Sequence, residues 1–292
     1  MSTSKTSDKI DLSRNNPVND FLREAFLAIG LVFLILGSLW IATGQFPPMV
    51  VVESGSMMHD TEDGSLGAID PGDLVLVMNP DRVDIVTYVE AMEEDNPNFG
   101  YTSHGMEGDV IIYSKNGGSD TPVIHRAILK VISNNTQEGE KTWDVLGTSL
   151  TNVKSINLVI NYPCEYHSGT YNLEISNWVP NHPGFITTGD NPDSNGCKID
   201  QLAATGQDGR NGLKDDQGNP VTAVKDEWVI GVASSEIPWI GAIKLFTSNT
   251  HHFVTEETWT NLSFTILIVI CSPMIYDSIF RKNEPKLNSE EE

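Results

Sequence analysis

Apolar and polar positions divide the chain into three patterns. Residues 25–43 (AFLAIGLVFLILGSLWIAT) carry no charge. As a helix this run is long enough to cross about 30 Å of hydrocarbon. A second uncharged run, residues 259–276 (WTNLSFTILIVICSPMIY), contains Pro273 and several hydroxyl side chains. It fits a second spanning helix, or else a buried or interfacial one. Between the two, helical periodicity is scarce and short β-branched runs dominate. Strands are expected at Val50–Val52, Leu74–Val77, Ile85–Val89, Val110–Tyr113, Val123–Ile128, Leu129–Ile132, Leu158–Ile160, Phe185–Thr187, Glu227–Val232 and Ile240–Leu245. Turn residues punctuate them, as in Asp70-Pro71-Gly72-Asp73 and Asn116-Gly117-Gly118. The pattern predicts a mainly β domain, a barrel or sandwich, carrying an N-terminal and a C-terminal transmembrane helix. Glu90–Glu107, Asn134–Gly184 and Asn195–Lys225 are polar excursions from it.

The charges flanking the apolar runs give an orientation. Lys5, Lys9, Arg14 and Arg23 precede the first run, and the next Lys or Arg is Arg82. Arg281, Lys282 and Lys286 follow the second. The boundaries that follow are a cytoplasmic tail (1–24), an anchor (25–43), an extracytoplasmic domain (44–258), a second span (259–276) and a cytoplasmic tail (277–292). A cleaved signal peptide fits the first run less well, because an h-region has only about 7–15 apolar residues.

Composition narrows the partners. Across 292 residues the formal net charge is −22, and its acids are dispersed, as on a solvated acidic surface. Such a balance argues against nucleic acid and anionic headgroups, both of which need basic patches. The three cysteines are Cys164 and Cys197, in polar sequence, and Cys271, in the second apolar run. In an oxidising compartment Cys164 and Cys197 could pair; two free thiols fit the sequence equally. Neither has a nearby Cys or His at ligand spacing, so no metal is expected. Asn134-Asn135-Thr136 and Asn261-Leu262-Ser263 match the glycosylation sequon, the second inside an apolar run.

Candidate chemistry begins just beyond the first apolar run, at Ser54-Gly55-Ser56-Met57. Alone, this is a common loop tripeptide; beside a membrane anchor, Ser56 becomes a candidate nucleophile. Its backbone N–H and the Ser54 hydroxyl would form the oxyanion hole. His125, in the apolar strand pattern Val123–Ile128, is the candidate base, although a core histidine would look the same. Asp190, in Thr188-Gly189-Asp190-Asn191, is the candidate orienting acid, with Asp193 and Asp200 as competing second acids. The other histidines (His59, His104, His167, His182, His251 and His252) are expected at the surface.

Taken in order, these residues resemble type I signal peptidases, and more closely the archaeal and endoplasmic-reticulum branch that uses histidine. The serine box matches Ser54–Met57. His125-Arg126 stands where the bacterial branch has Lys-Arg, and the Gly-Asp-Asn box matches Gly189–Asn191. The likeness extends through Pro71–Val75, Gly108–Tyr113, Trp228–Val232 and Ile237–Gly241, and covers residues 25–246. It implies a signal-peptidase-like β domain in the cell membrane that removes signal peptides from exported preproteins after small residues. Catalytic Ser56, His125, Asp190 and Asp200, with Ser54 in the oxyanion hole, need no cofactor. Signal peptides, the bilayer and the translocation channel are the implied partners. Two features depart from the family: His59 replaces a proline, and the interval from Asp190 to Asp200 is long, which keeps Asp193 open.

Two rivals stand beside this reading. A Ser–Lys peptidase would draw its base from Lys115 or Lys130. A non-catalytic, membrane-anchored β domain would bind signal peptides or other extracytoplasmic partners without cutting them.

Overall fold

A computed structural model of the chain describes residues 17–60, 64–135, 141–166, 169–201 and 212–280. Lys5, Lys9, Arg14, Thr136, His167, Arg281, Lys282 and Lys286 lie outside the described residues. The chain starts with helix α1 (Pro17–Thr43), which begins upstream of residue 25. Strands β1 (Met49–Val51) and β2 (Leu74–Met78) follow, then the short helix α2 (Tyr88–Met92). Next come β3 (Thr102–Ser103), β4 (Met106–Glu107), β5 (Val110–Tyr113), β6 (Val123–Asn135) and β7 (Lys141–Val145). A long hairpin, β8 (Ile156–Tyr166) and β9 (Gly169–Trp178), precedes β10 (Gly184–Thr188) and helix α3 (Pro192–Asn195). The chain closes with β11 (Val229–Ile237), α4 (Ala242–Thr247) and α5 (Glu256–Phe280).

The main sheet has seven strands in the order β1-β2-β11-β5-β6-β10, with β7 also on β6, and every pairing is antiparallel. The barrel expectation needs correction: among the described residues β1 and β10 are not paired, so the sheet stays open. β1 is only three residues long and offers few ladder bonds for closure. The β8–β9 hairpin forms a separate two-stranded sheet packed on the main one. Ile128, Leu129 and Val131 of β6 share one buried cluster with Ile160, Tyr162 and Cys164 of β8 and Leu173 of β9. A second cluster joins Val52, Met57, Val75, Val110 and Ala233. Met57 is 1% exposed, so its burial (about 1.5–3 kcal/mol) seats the residue beside Ser56 against the sheet.

Three expected elements differ. Ile85–Val89 reads as a strand, but Thr87 and Glu90 form a capping box that starts α2 instead. Ile240–Leu245 also reads as a strand; there a helix buries Ala242 and Leu245, spaced three apart on one face. The polar stretch 134–184 carries β7 and the β8–β9 hairpin. A disulfide joins Cys164 to Cys197, with Cα atoms 5.8 Å apart. The Asp70-Pro71-Gly72-Asp73 turn forms as expected, and Asp73 accepts hydrogen bonds from the N–H groups of Asp70 and Trp239, each at 3.0 Å.

Both apolar helices project their side chains outward. Phe21–Thr43 has a mean hydropathy of 2.5 with none of its apolar window buried, and Glu256–Tyr276 has 1.5 with 11% buried. By length and composition each could cross a membrane. Arg82 ties α1 to the sheet: its Nη1 donates to the carbonyls of Ile41 (2.7 Å) and Ala42 (3.3 Å), a favourable place for a cation at a helix C-terminus.

Candidate active site

The site follows from the alternation of strand side chains. Successive residues of β6 face opposite sides of the sheet, so His125 and Arg126 cannot share one environment. In the ladder, Ile111 faces His125 and Tyr113 faces Val123, while Thr187 faces Ala127. Tyr113, His125 and Thr187 therefore lie on one face of three adjacent strands. All three converge on one oxygen: Asp200 Oδ2 lies 2.7 Å from His125 Nδ1 and accepts from Thr187 Oγ1 (2.6 Å) and Tyr113 OH (3.0 Å). A carboxylate oxygen against Nδ1 favours the tautomer that carries its proton there and presents Nε2 as a lone-pair acceptor.

Arg126 occupies the opposite face and is fully buried. Its Nε and Nη2 grip the two oxygens of Asp190 at 2.9 and 2.6 Å. Its Nη1 donates to the carbonyls of Ser103 (2.9 Å), at the end of β3, and Gly108 (2.7 Å), just after β4. Asp190 Oδ1 also accepts from Tyr162 OH (2.8 Å), and Oδ2 lies 3.1 Å from His59 Nε2. Asp190 thus pairs with Arg126 and not with the imidazole, contrary to the expected role of orienting His125. Burial alone would raise the Asp190 pKa, but the Arg126 guanidinium and the His59 contact hold it well below the usual carboxylate range. The same bidentate pair offsets the burial of Arg126, whose pKa rises. Burial, reinforced by the neighbouring carboxylate, pushes the phenols of Tyr113 (beside Asp200) and Tyr162 (beside Asp190) well above their ordinary value.

The serine loop is clamped by the segment after β10. The Asn191 N–H donates to the Ser56 carbonyl (3.0 Å), and its Nδ2 donates to the Gly55 carbonyl (2.6 Å). Gly189 lies between serine loop and imidazole. A Cβ there would overlap the Ser56 carbonyl oxygen and sit 3.2 Å from His125 Nε2, so close approach excludes any larger residue. The Ser56 backbone and the free edge of the imidazole therefore meet across this glycine. No hydrogen bond joins the Ser56 hydroxyl to Nε2 among the described residues; the Ser56 Oγ lies 3.4 Å from Ser54 Oγ. Asp193 is exposed in α3, where its N–H donates to Asn191 Oδ1 at 2.9 Å, and it is Asp200 that pairs with His125.

Ser54, Ser56, His125 and Asp200 all line one cleft of about 940 Å³. Val50 and Val51 of β1, Val52 after it, and Val123 and Ile124 of β6 are among its apolar lining residues, as are Pro47, just after α1 in the chain, and Phe253, just before α5. Neither expected rival lysine lines it: Lys115 pairs with Asp216 (3.1 Å), and Lys130 pairs with Asp226 (2.7 Å). Lys198 does line it. Two expected surface histidines are not free there: His104 is 3% exposed and bonds Glu236 at 2.8 Å, and His59 bonds Asp190.

Tyr113, Thr187, Tyr162 and Asn191 were not singled out as site residues by the sequence. A signal existed for the first two, since polar hydroxyls end the otherwise apolar strands Val110–Tyr113 and Phe185–Thr187. Comparison of the chain with family models, curated proteins and solved structures gives no match.

Proposed function

We propose that the chain is a membrane-anchored serine endopeptidase of the signal-peptidase kind, which removes signal peptides from exported preproteins. One observation carries the reading: across Gly189 the Ser56 loop meets the Nε2 edge of an imidazole whose Nδ1 is bound to Asp200. The lining of the cleft that holds them includes Pro47, just after the first apolar helix in the chain, and Phe253, just before the second. A signal-peptidase-like arrangement of the β domain belongs to the same proposal.

In this mechanism Asp200 fixes the imidazole tautomer and stabilises the imidazolium. His125 Nε2 takes the Ser56 hydroxyl proton as Oγ attacks the scissile carbonyl. The Ser56 N–H and the Ser54 hydroxyl donate to the oxyanion. The imidazolium then protonates the leaving amine, and water, activated by the same nitrogen, releases the acyl group. The mechanism requires Ser56 Oγ to turn from Ser54 towards Nε2 in the reacting complex, as apo serine–base contacts are commonly looser than in that complex. Substrate would lie extended against the free edge of β1, gaining backbone hydrogen bonds. Asp190 serves the arrangement indirectly, by anchoring the turn that carries Gly189 and Asn191. The Ser56, His125 and Asp200 roles need no cofactor.

The domain is proposed to lie outside the cytosol, with both termini inside the cell membrane's cytoplasmic face. The basic flanks of the apolar runs and the Cys164–Cys197 disulfide support this placement. Signal peptides and the bilayer are the proposed partners, with the translocation channel delivering the substrate. The test is incubation of the detergent-solubilised chain with a preprotein. Cleavage after a small residue, lost in Ser56→Ala, supports the proposal; wild-type binding without cleavage assigns a binding module instead.

A further inference from the structure

The β8–β9 hairpin stands outside the main sheet, yet it reaches both acids of the site. Tyr162 on β8 donates to Asp190. Cys164, two residues on and buried like Tyr162 while Pro163 between them is exposed, is bonded to Cys197, just ahead of Asp200. Tyr162, Cys164, Cys197 and Ile199 all belong to one buried cluster. Gly196–Ile199 have no regular structure of their own: α3 ends at Asn195, Gly196 and Cys197 both adopt a φ of 59°, and a 3-10 turn begins only at Asp200. The other ties on this segment are all hydrogen bonds: Thr188 Oγ1 to the Lys198 carbonyl (2.7 Å), the Cys197 N–H to Asn195 Oδ1 (2.6 Å), the Gly196 N–H to the Pro192 carbonyl (2.7 Å) and, at Asp200 itself, the Leu213 N–H to its carbonyl (2.9 Å) and the Thr187 and Tyr113 hydroxyls to its carboxylate.

A disulfide commonly serves stability alone, by restricting the unfolded chain. This one is placed for more, because it fixes the irregular segment that delivers the imidazole's acidic partner. We infer that the Cys164–Cys197 disulfide is a positioning device for the site, holding Gly196–Asp200 so that Asp200 Oδ2 meets His125 Nδ1. Its kinetic consequence rests on the peptidase reading; the hydrogen bond it fixes is measurable without turnover. A dithiol reductant opens the disulfide by giving up two electrons and two protons. It closes to its own cyclic disulfide and leaves Cys164 and Cys197 as thiols. Asp200 then keeps only its hydrogen bonds to Thr187, Tyr113 and Leu213, and without the covalent tie upstream its carboxylate moves off His125 Nδ1.

The experiment uses the full chain in detergent, labelled with ¹⁵N-histidine. The low-field proton of the His125 Nδ1–H···Asp200 hydrogen bond is assigned by its loss in Asp200→Asn. On addition of dithiothreitol this signal is expected to vanish. The kcat for a preprotein should fall about 100-fold, the scale of a misplaced catalytic group, with KM little changed and both restored on reoxidation. Should the dithiol unfold the domain, the double variant Cys164→Ala, Cys197→Ala repeats the measurement with small apolar side chains in the same place. An unchanged proton signal in the reduced, folded chain overturns the inference while leaving wild-type cleavage, and hence the peptidase reading, intact. A signal that responds to reduction in a chain that never cleaves preprotein upholds the inference and removes the peptidase reading.

Discussion

Asp190 and Asp200 are both buried carboxylates on the segment that follows β10, and their surroundings make them different tools. Asp190 is locked by a guanidinium, a phenol and His59. Asp200 is met on one oxygen by two hydroxyls and an imidazole. The first is a permanent ion pair that fixes architecture; the second can share its charge with an imidazole that changes protonation during a reaction. The division originates in β6, where consecutive His125 and Arg126 project to opposite faces and each claims its own acid.

Variants should separate the two. The largest effect is expected from Asp200→Asn, which keeps shape but favours the wrong imidazole tautomer: kcat should fall about ten-thousand-fold with little change in melting temperature. Steady-state kinetics beside a thermal melt checks this. A mainly thermal effect would merge the roles of the two acids. Asp190→Asn should behave in reverse. It leaves the Arg126 guanidinium buried without its counter-ion, a cost of about 3–5 kcal/mol in denaturant unfolding, while the folded fraction retains most of its turnover.

The two phenols sharpen the contrast on a smaller scale. Removing a buried hydroxyl partner costs about 1–3 kcal/mol. For Tyr162→Phe that loss should appear in stability, and for Tyr113→Phe mainly in kcat. Lys198→Ala should leave the kcat–pH profile unchanged if the base is an imidazole; collapse of turnover would make the base an amine.

The smallest effect is in the pH dependence of stability, where Asp190 and the Asp70–Asp73 pair have opposite signs. Asp190 titrates well below its ordinary 3.8, so its contribution is present above that value and is lost as pH falls towards its folded pKa. Asp70 and Asp73 are raised by burial to about 6, so their contribution is present below 3.8 and fades as pH rises through about 6. Melting temperatures of Asp73→Asn should therefore fall less than wild type across that interval; a parallel decline would place the titrating groups elsewhere.

Much of this was legible in the amino-acid order. Val110–Tyr113 forms as its apolar run predicts, and the two β6 segments fuse into one strand because no turn residue separates Ile128 from Leu129. The opposition of His125 and Arg126 also follows from period two. Which acid each claims does not, because that depends on the register of β10 and on a bulge between Ile186 and Thr187. The openness of the sheet and the docking of the β8–β9 hairpin are equally non-local. At α2 the sequence carried competing signals, and the Thr87–Glu90 capping box prevailed over β-branched residues.

The central claim is that Ser56 and His125 act as one unit. A kinetic cycle of Ser56→Ala, His125→Ala and the double variant, measured on single-turnover cleavage of a preprotein, tests it most directly. Groups that act together lose nearly everything at the first substitution, so the double variant should be no slower than either single one. Losses that multiply would show the serine and the imidazole working independently, and would contradict the account.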